Sequence, residues 1–496
     1  MERMMNTTTS GRGLPLAVAV ALTILAVSVS ALAAQAPDRS KPPELGPPPT
    51  LSLSPITKTT LANGLTLYYM AKREVPLVQV NMVVRAGQVH DPADRPGVAS
   101  MTAGMMDEGA GSRDALELAD AVDFLGASIS VGGGAHETTV SLHTPVGKLD
   151  QALELLADVV LRPRFDAEEL ERQRRQRLTS MAQWHDEARA IVQVAFNEAL
   201  FGKQHPYGRM SMGTPESVGA MTVDDLRGFH RTYFVPNNAA LIVVGDVTLE
   251  DIKPRLERLF GGWQRGDVPA YNAPAAPQSR RQVILVDKPG AAQSEIRIGL
   301  VGVDRATPDY YALSVMNTIL GGSFSSRLNQ KLREEKQYTY GARSSFSFGM
   351  MPGPFTASAG VQTAVTDSAL YEFMRELNGI REPVPEDELD RARNYVALRF
   401  PGAFQAVGQI ANQLEDLYLY DLPLDYFNGY VQGVLGVTRD DVRRVARQYL
   451  VANRMAIVVV GDRSKVEAGI RALKLGDVTV KSIQDVLGPV PVVGSE

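Results

Sequence analysis

Two segments of this chain repeat one pattern of helix cap, helix and apolar strand. In each segment a threonine, Thr222 or Thr438, precedes two aspartates and a helical pattern. An apolar run follows and stops at Gly245 or Gly461, and the offset is 216 residues at both points. Threonine suits a helix N-cap, and carboxylates suit the first turn of a helix. Because both the order and the spacing recur, the pattern indicates a duplicated domain.

The duplication predicts two halves on either side of a proline-rich linker at residues 266–281. We assign the first half to residues 56–265, the second to 282–485, and a tail to 486–496. Helical periodicity predicts helices at 114–125, 148–161, 167–188, 310–320, 325–336 and 385–399. Strand patterns precede and separate these helices, including an Asn63-Gly64 hairpin and a strand at 282–287 that opens the second half. We therefore expect an α+β protein of two homologous α/β halves, each a largely antiparallel sheet packed with helices.

The composition narrows the class of protein. A chain of 496 residues is too long for one compact core. Its net charge of −5 argues against nucleic acid as the main partner, and no basic cluster with interleaved aromatic residues is present. With no cysteine, the chain has no disulfide, no thiolate metal site and no cysteine for lipid attachment.

The first 33 residues are typical of an export signal. Arg3 and Arg12 precede an apolar core, and Ala31-Leu32-Ala33 resembles a cleavage site. The apolar run is close to the length of a membrane span, so an uncleaved anchor is the alternative. Residues 34–55 are rich in proline and predict an extended tether. We expect a protein of the bacterial periplasm or cell envelope.

Several short segments then resemble one family. In chain order they are Gly-Val-Ala at 97–99, Leu-Gly-Ala-Ser at 125–128, Leu-Arg-Pro-Arg-Phe at 161–165, His-Pro-Tyr-Gly at 205–208, Gly-Thr-Pro-Glu-Ser at 213–217, and Ser-Ser-Arg-Leu at 325–328. With the Val-Gly-Asp strand ends, their order and spacing resemble the M16 (insulinase or pitrilysin-like) zinc peptidases, which include mitochondrial processing peptidase subunits. The resemblance implies two similar halves that enclose a peptide like a clamshell.

The chain departs from this family at the metal site. Active members carry His-x-x-Glu-His on one helix, where two histidines bind zinc and the glutamate activates the bound water. The matching positions hold Ser100, Ala103 and Gly104. The family's third ligand, a glutamate on a later helix, matches Ser180, or Thr179 if the register shifts by one. None of these residues is a useful zinc ligand, so we expect no metal and no catalytic residue in this chain.

Other residues of the first half offer poor replacements for these ligands. The six histidines are His90, His136, His143, His185, His205 and His230. His185 with Asp186 and Glu187 is the most ligand-like group, but neighbours on a helix point to different faces. We expect a solvated helix end there and a structural turn at His205. Asp107 and Glu108 are expected to end the degenerate helix as surface charges.

The second half keeps two residues that the resemblance implies are used. In active relatives an arginine and a tyrosine seven residues later hold the substrate backbone near the metal, and Arg333 and Tyr340 match them. An arginine can bind a peptide carbonyl, and a tyrosine hydroxyl can stabilise an oxyanion. The alternative is a surface arginine paired with Glu334 or Glu335, and Tyr338 is a rival for the tyrosine role.

Two glycine-containing segments carry open alternatives. Residues 128–134 end in three glycines and lie where family members offer an edge strand to substrate; a bulge or flexible loop is the alternative. Residues 321–324, Gly-Gly-Ser-Phe, resemble the glycine-rich loop of non-catalytic processing-peptidase subunits; a plain helix cap is the alternative.

The sequence leads to one main hypothesis and two others. The main one is a non-catalytic, substrate-binding subunit that pairs with a catalytic M16 homologue, which would supply the zinc and the His-x-x-Glu-His motif. Arg333 and Tyr340 would then contribute to that active site in trans. The others are a peptide-binding or assembly protein with no peptidase role, and a self-sufficient peptidase with relocated metal ligands.

Overall fold

The computed structural model describes residues 53–271, 274–275 and 280–492. The expected export signal, the tether up to residue 52, part of the linker and residues 493–496 lie outside the described residues. Within the described ranges, no helix has both the length and the apolar character needed to span a membrane.

Strands and helices alternate irregularly along both halves. The strands are β1 (Thr57–Thr60), β2 (Thr66–Ala71), β3 (Leu77–Val84), β4 (Ser128–Gly133), β5 (Thr138–Pro145), β6 (Ala239–Gly245), β7 (Gln282–Asp287), β8 (Gln293–Val301), β9 (Thr339–Phe348), β10 (Pro352–Gln362), β11 (Ala456–Gly461) and β12 (Val478–Lys481). The first-half helices are α1 (Val98–Met105), α2 (Ala115–Phe124), α3 (Leu149–Leu161), α4 (Ala167–Trp184), α5 (Ala188–Phe201), α6 (Pro215–Ala220), α7 (Val223–Tyr233) and α8 (Leu249–Phe260). The second-half helices are α9 (Tyr310–Asn317), α10 (Arg327–Asn329), α11 (Thr366–Gly379), α12 (Glu386–Arg399), α13 (Val407–Leu419), α14 (Tyr430–Leu435), α15 (Arg439–Tyr449), α16 (Arg463–Ala472) and α17 (Ile483–Leu487).

Two six-stranded sheets confirm the predicted α+β class and the duplication. Their strand orders are β1-β2-β6-β3-β5-β4 and β12-β7-β11-β8-β10-β9. In each sheet one parallel pair, β2 with β6 or β7 with β11, is followed by antiparallel pairs. The last five positions in the two orders therefore match between the halves. Only the first strand differs, since β1 is antiparallel and β12 is parallel to its neighbour.

The repeated caps form as the sequence predicts. Thr222 accepts a hydrogen bond from the Asp225 N–H, and Thr438 accepts one from the Asp441 N–H. Each aspartate accepts in return from the threonine N–H, so both helices begin with a capping box. The strands that follow, β6 and β11, are buried along their whole length. Each runs through the middle of its sheet, as an uninterrupted apolar run predicts.

Each half contributes one helix, here called the exchanged helix, that packs on the sheet of the other half. Helix α5 of the first half packs on β8 and β11 of the second sheet, and its apolar partners there include Val458 and Val460. Helix α13 of the second half packs on β3 and β6 of the first sheet, against Val83 and Ile242. Each sheet is therefore covered on one face by its own helices and on part of the other face by a helix from the opposite half.

One predicted helix is divided in two. The pattern at 167–188 predicts a continuous helix, but α4 ends at Trp184 and α5 starts at Ala188. Residues 185–187 form a turn in which the Glu187 N–H donates to the Trp184 carbonyl oxygen, and Glu187 has an extended backbone. This turn redirects the chain, so that α5 reaches the second sheet. The polar residues of the turn gave no apolar periodicity by which a bend could be recognised.

Candidate functional site

Helix α1 carries the residues that replace the metal motif, and its first turn is held from outside the helix. The Asp91 carboxylate accepts hydrogen bonds from the Gly97 and Ala99 N–H groups, both at 2.7 Å. Burial raises the pKa of Asp91 to about 6, although these two bonds and the charge of Arg177 act in the opposite direction. Asp91 therefore satisfies two N–H groups that the first turn of a helix leaves without partners.

Ser100 and Gly104 lie on one face of α1, because residues four apart share a helix face. Both are half-buried, whereas Ala103 is 3% exposed. The arrangement is the one in which two histidines four apart could share a metal ion. The side chains present offer one hydroxyl, one methyl group and a hydrogen atom.

A buried arginine lies against this face. Arg177 of α4 donates from Nη1 to Ser100 Oγ at 2.8 Å and from Nη2 to the Ser100 carbonyl oxygen at 2.7 Å. A side-chain carbon added at Gly104 would lie 3.6 Å from Nη2. Arg177 is 9% exposed, and burial lowers its pKa to about 10, so it remains a cation at neutral pH. The guanidinium thus provides a fixed positive charge beside both ligand positions.

The side chains at the position of the third ligand form hydrogen bonds within their own helix. Ser180 lies three residues after Arg177 on α4, and its Oγ donates to the Gln176 carbonyl oxygen at 3.0 Å. Thr179 Oγ1 donates to the Arg175 carbonyl oxygen at 2.8 Å. Both hydroxyls are thus used within their own helix. The donor set of hydroxyls beside a guanidinium does not fit zinc, which prefers imidazole, thiolate and carboxylate ligands.

No group of three His, Asp or Glu side chains suited to a metal ion occurs within the described ranges. His205 has the structural role expected of it: Nδ1 accepts from the Tyr207 N–H at 3.1 Å, and the ring stacks on Phe201. His136 Nε2 lies 2.5 Å from the Tyr207 hydroxyl, and burial lowers the pKa of His136 to about 4. These two histidines thus support the wall of a cavity.

The prediction that Asp107 and Glu108 are surface charges is wrong, since both are half-buried. Glu108 Oε1 lies 2.5 Å from Arg172 Nη2 and accepts from Gln173 Nε2 at 2.7 Å, which fixes the end of α1 to α4. Asp107 is half-buried, and burial raises its pKa to about 6. The contacts of Glu108 form because α4 packs directly on α1.

The glycine segment forms the edge strand of the first sheet. Strand β4 (Ser128–Gly133) is the last strand in the order, and most of its residues are exposed. Gly133 packs on α1, since a side-chain carbon there would lie 3.3 Å from Ala103 Cβ. The free edge of β4 therefore runs beside the helix face that carries Ser100 and Gly104. The absence of a side chain at Gly133 and the small methyl group of Ala103 allow this close approach.

A cavity of about 530 Å³ lies between the halves. Its walls include His136, Glu137 and Tyr207 from the first half, and Phe348 and Tyr420 from the second. The Tyr420 hydroxyl donates to the Phe348 carbonyl oxygen at 3.3 Å, and burial raises the pKa of Glu137. The cavity continues toward α1, since Ser211 also lines it and the Ser211 carbonyl oxygen accepts a hydrogen bond from Ser100 Oγ at 2.7 Å.

Arg333 and Tyr340 lie in the second half, Arg333 before strand β9 and Tyr340 within it. Arg333 Nε is 3.3 Å from Glu334 Oε1, and its guanidinium is 4.7 Å from the ring centroid of Phe324. Tyr340 is the second residue of the edge strand β9 and is 90% exposed, whereas Tyr338 packs against the second-half core. Within the described ranges, no hydrogen bond or ion pair joins Arg333 or Tyr340 to α1.

The Gly-Gly-Ser-Phe segment is shaped by close packing. Residues Thr318–Gly322 form a π-helical turn, and a side-chain carbon at Gly321 would lie 2.3 Å from the Ser344 backbone nitrogen. Glycine is therefore needed for contact with β9. Phe324, at the end of the segment, is 62% exposed beside Arg333.

Comparisons with known proteins agree with this architecture. Residues 69–214 match the family model described as "Insulinase (Peptidase family M16)", and residues 220–396 match the one described as "Peptidase M16 inactive domain". An uncharacterised zinc protease of Mycobacterium leprae is 27% identical over 69% of this chain and 76% of its own length. One of Streptomyces coelicolor is 24% identical over 82% of this chain and 89% of its own length.

Solved structures share the fold. The peptidase M16 inactive domain from Pseudomonas fluorescens has a TM-score of 0.77 and 26% identity, covering 82% of this chain and 97% of its own. A protease from Helicobacter pylori has a TM-score of 0.76 and 21% identity, covering 82% of this chain and 100% of its own. With a first half that matches the insulinase model, a second half that matches the M16 inactive-domain model, and this shared fold, the chain belongs to the M16 peptidase family.

Proposed function

We propose that this chain is the non-catalytic, substrate-binding subunit of a heterodimeric M16-type zinc metallopeptidase that acts on peptides in the bacterial cell envelope. The observation that carries the proposal is the Arg177 guanidinium bound to Ser100. It occupies the ligand face of α1, while the rest of the M16 fold is retained. The zinc ion, the glutamate base and the His-x-x-Glu-His motif would come from a catalytic homologue.

The first half contributes a surface for an extended peptide. Strand β4 offers a free edge, and an extended peptide can add to such an edge through backbone hydrogen bonds. Gly132 faces open space, with no atom within 4 Å of an added side-chain carbon. A second backbone can thus approach β4 closely beside the cavity between the halves.

The second half would contribute residues in trans. Within the described residues, no hydrogen bond or ion pair joins Arg333 or Tyr340 to α1, and Tyr340 is exposed enough to reach a neighbouring molecule. In the proposed pair, the Arg333 fork binds a carbonyl of the substrate and the Tyr340 hydroxyl stabilises the oxyanion formed at the partner's zinc. Tyr338 is less suited to this role because it is half-buried and packs against the second-half core.

Copurification of the native chain tests the pairing. We expect a homologue with His-x-x-Glu-His to copurify, and we expect the pair to cleave peptides in a reaction that a chelator abolishes. Arg333→Ala and Tyr340→Phe should lower kcat of the pair by about 100-fold or more, as removal of an oxyanion donor does. Arg391→Ala is the control, since Arg391 lies on the outer helix α12 and pairs with Asp387.

Other outcomes would support the alternatives. A pair that stays fully active with Arg333→Ala shows that Arg333 has no role in the active site. Peptide binding without any peptidase partner favours a binding or assembly protein. Stoichiometric zinc in the purified chain alone, together with its own peptidase activity, would show relocated ligands.

A further inference from the structure

Two arginines and a serine form a row across three strands of the second sheet. Ser358 of β10 lies directly opposite Arg297 of β8 on one side and Arg343 of β9 on the other. Directly opposite residues project from the same face of a sheet, and neighbouring strands are about 4.8 Å apart. The two guanidinium groups therefore flank one hydroxyl on one face. We name these three residues the arginine row.

The arginine row lies in a polar cavity between the halves. The cavity measures about 340 Å³, and its walls carry the hydroxyls of Ser345, Ser347 and Thr356. Arg189, on the exchanged helix α5, adds a third cation from the first half. Its Nε is 3.3 Å from Glu295 Oε1, and Glu295 is the one carboxylate among the lining residues.

The positive charge of the row is not neutralised within the described ranges, where neither Arg297 nor Arg343 forms an ion pair. Burial lowers the pKa of Arg297; the Glu295 charge opposes this, and the charges of Arg343 and Arg189 add to it. Arg297 and Arg343 lie two strands apart on one face, on either side of Ser358, and their like charges repel. An anion between the two guanidinium groups would remove this repulsion.

The first half shows what the same position looks like without excess charge. Asn81 lies opposite Ile242 of β6, and Arg297 lies opposite Val458 of β11, so the two are equivalent by the 216-residue offset. Asn81 Nδ2 donates to Glu415 Oε1 of the exchanged helix α13 at 2.5 Å. In the first half the position is thus neutral and paired with the exchanged helix. In the second half it is cationic, and the exchanged helix brings a further arginine.

We infer that the arginine row binds a carboxylate of the peptide substrate, either an aspartate or glutamate side chain or the C-terminal carboxylate. This inference rests on the proposed function, since it names the substrate class of the same chamber. Planar guanidinium groups bind carboxylates through two parallel hydrogen bonds, and the Ser358 hydroxyl between them adds a donor. The smaller cavity shares Gln193 and Pro354 with the larger one, so one extended peptide can occupy both.

Selection from randomised peptides tests the inference. A synthetic peptide library of fixed length, made once with free C-termini and once with amidated C-termini, is incubated with the immobilised full chain. The bound fraction is then sequenced. The variants are Arg297→Gln, Arg343→Gln and, as a matched loss of charge on the outer helix layer, Arg391→Gln. Arg343 is exposed, so its substitution keeps the fold even if that of Arg297 does not.

We expect the wild-type chain and Arg391→Gln to enrich aspartate and glutamate, or to favour free over amidated C-termini. The first pattern identifies the side chain and the second the C-terminus as the ligand. Loss of one charge-assisted pair should reduce the preference about tenfold in each row variant. Bound peptides without an acidic preference, or a preference that survives both row variants, would overturn the inference and leave the proposed function standing. Failure to retain any peptide would refute both.

Discussion

The Arg177 guanidinium donates to both the hydroxyl and the backbone carbonyl oxygen of Ser100. These two contacts hold a permanent positive charge against the face of α1 on which metal ligands would lie. An interaction between α1 and α4 is therefore present where the metal ligands would lie. The scaffold around the degenerate centre is held by this interaction.

Zinc ligands restored to this chain should bind zinc poorly while Arg177 remains. The variant Ser100→His, Gly104→His, Ser180→Glu supplies three ligands on the matching positions. A guanidinium at about 4 Å repels a divalent ion by several kcal/mol even at an effective dielectric constant of about 20. Adding Arg177→Leu should therefore raise zinc affinity at least about 100-fold. Competition with a chelating zinc indicator measures the difference.

Arg175→Leu is the matched control for this series, because Arg175 is an exposed arginine on the same helix α4. It should leave the zinc affinity of the triple variant nearly unchanged. Equal zinc affinities with and without Arg177 would show that its charge does not weaken zinc binding.

Arg177→Met should destabilise the folded chain. It removes two charge-assisted hydrogen bonds, while the cost of burying a cation is also removed, so we expect a net loss of about 1–3 kcal/mol in the free energy of unfolding. The loss should be smaller for Ser100→Ala, because the bond from Arg177 to the carbonyl oxygen remains. Urea unfolding of both variants measures this order, and the reverse order would contradict the roles assigned to the two contacts.

The Arg177 variant should also depend on pH in a defined direction. The Arg177 charge lowers the pKa of Asp91, which burial raises to about 6. Without that charge the pKa of Asp91 rises further, so the variant loses additional stability as the pH rises through about 6. Below the ordinary pKa of aspartate this additional loss is absent. Unfolding curves at pH 5 and pH 8 check the sign.

Strand β4 should tolerate substitution at one glycine and not at the next. A valine at Gly133 meets Ala103, whose Cβ lies 3.3 Å from the added carbon, so the strand must move or the helix must shift. We expect Gly133→Val to cost about 1–3 kcal/mol, as overpacking does. Gly132→Val is the control, since that side faces open space and valine suits a strand. Similar melting temperatures for the two variants would show that β4 does not pack on α1.

Local patterns in the sequence predict much of the fold. The repeated threonine caps, the Asn63-Gly64 hairpin and the apolar runs at β6 and β11 each follow from nearby residues, and each is confirmed. The predicted strand at 282–287 matches β7 residue for residue. These features depend on turn chemistry and periodicity, which a sequence displays directly.

Contacts between distant segments could not be predicted in the same way. Arg177 is one of several arginines on α4, and nothing in the sequence separates it from its exposed neighbour Arg175. Asp91 caps α1 from six residues before Gly97, outside the usual N-cap position. The placement of α5 on the second sheet requires the chain to bend at 185–187, and the apolar periodicity of the sequence gives no signal of this bend. Each of these depends on packing that brings remote residues together.

Glu415 is a carboxylate held between the halves, and its charge should affect the stability of the chain. It accepts from Asn81 Nδ2 at 2.5 Å, and burial raises its pKa to about 7, with the charges of Glu137 and Asp416 adding to the shift. The folded-state pKa lies above the ordinary value for glutamate, so its favourable contribution is complete below about pH 4 and is lost as the pH rises through 7.

Glu415→Gln retains an oxygen that can accept from Asn81 and removes the charge. We expect it to stabilise the chain above pH 7 by about 1–3 kcal/mol and to flatten the pH dependence of its melting temperature between pH 5 and pH 8. Glu168→Gln, at an exposed position on α4, is the control and should change neither. A Glu415→Gln variant that melts at a lower temperature at pH 8 would show that the ionised carboxylate, rather than its neutral form, stabilises the contact between the halves.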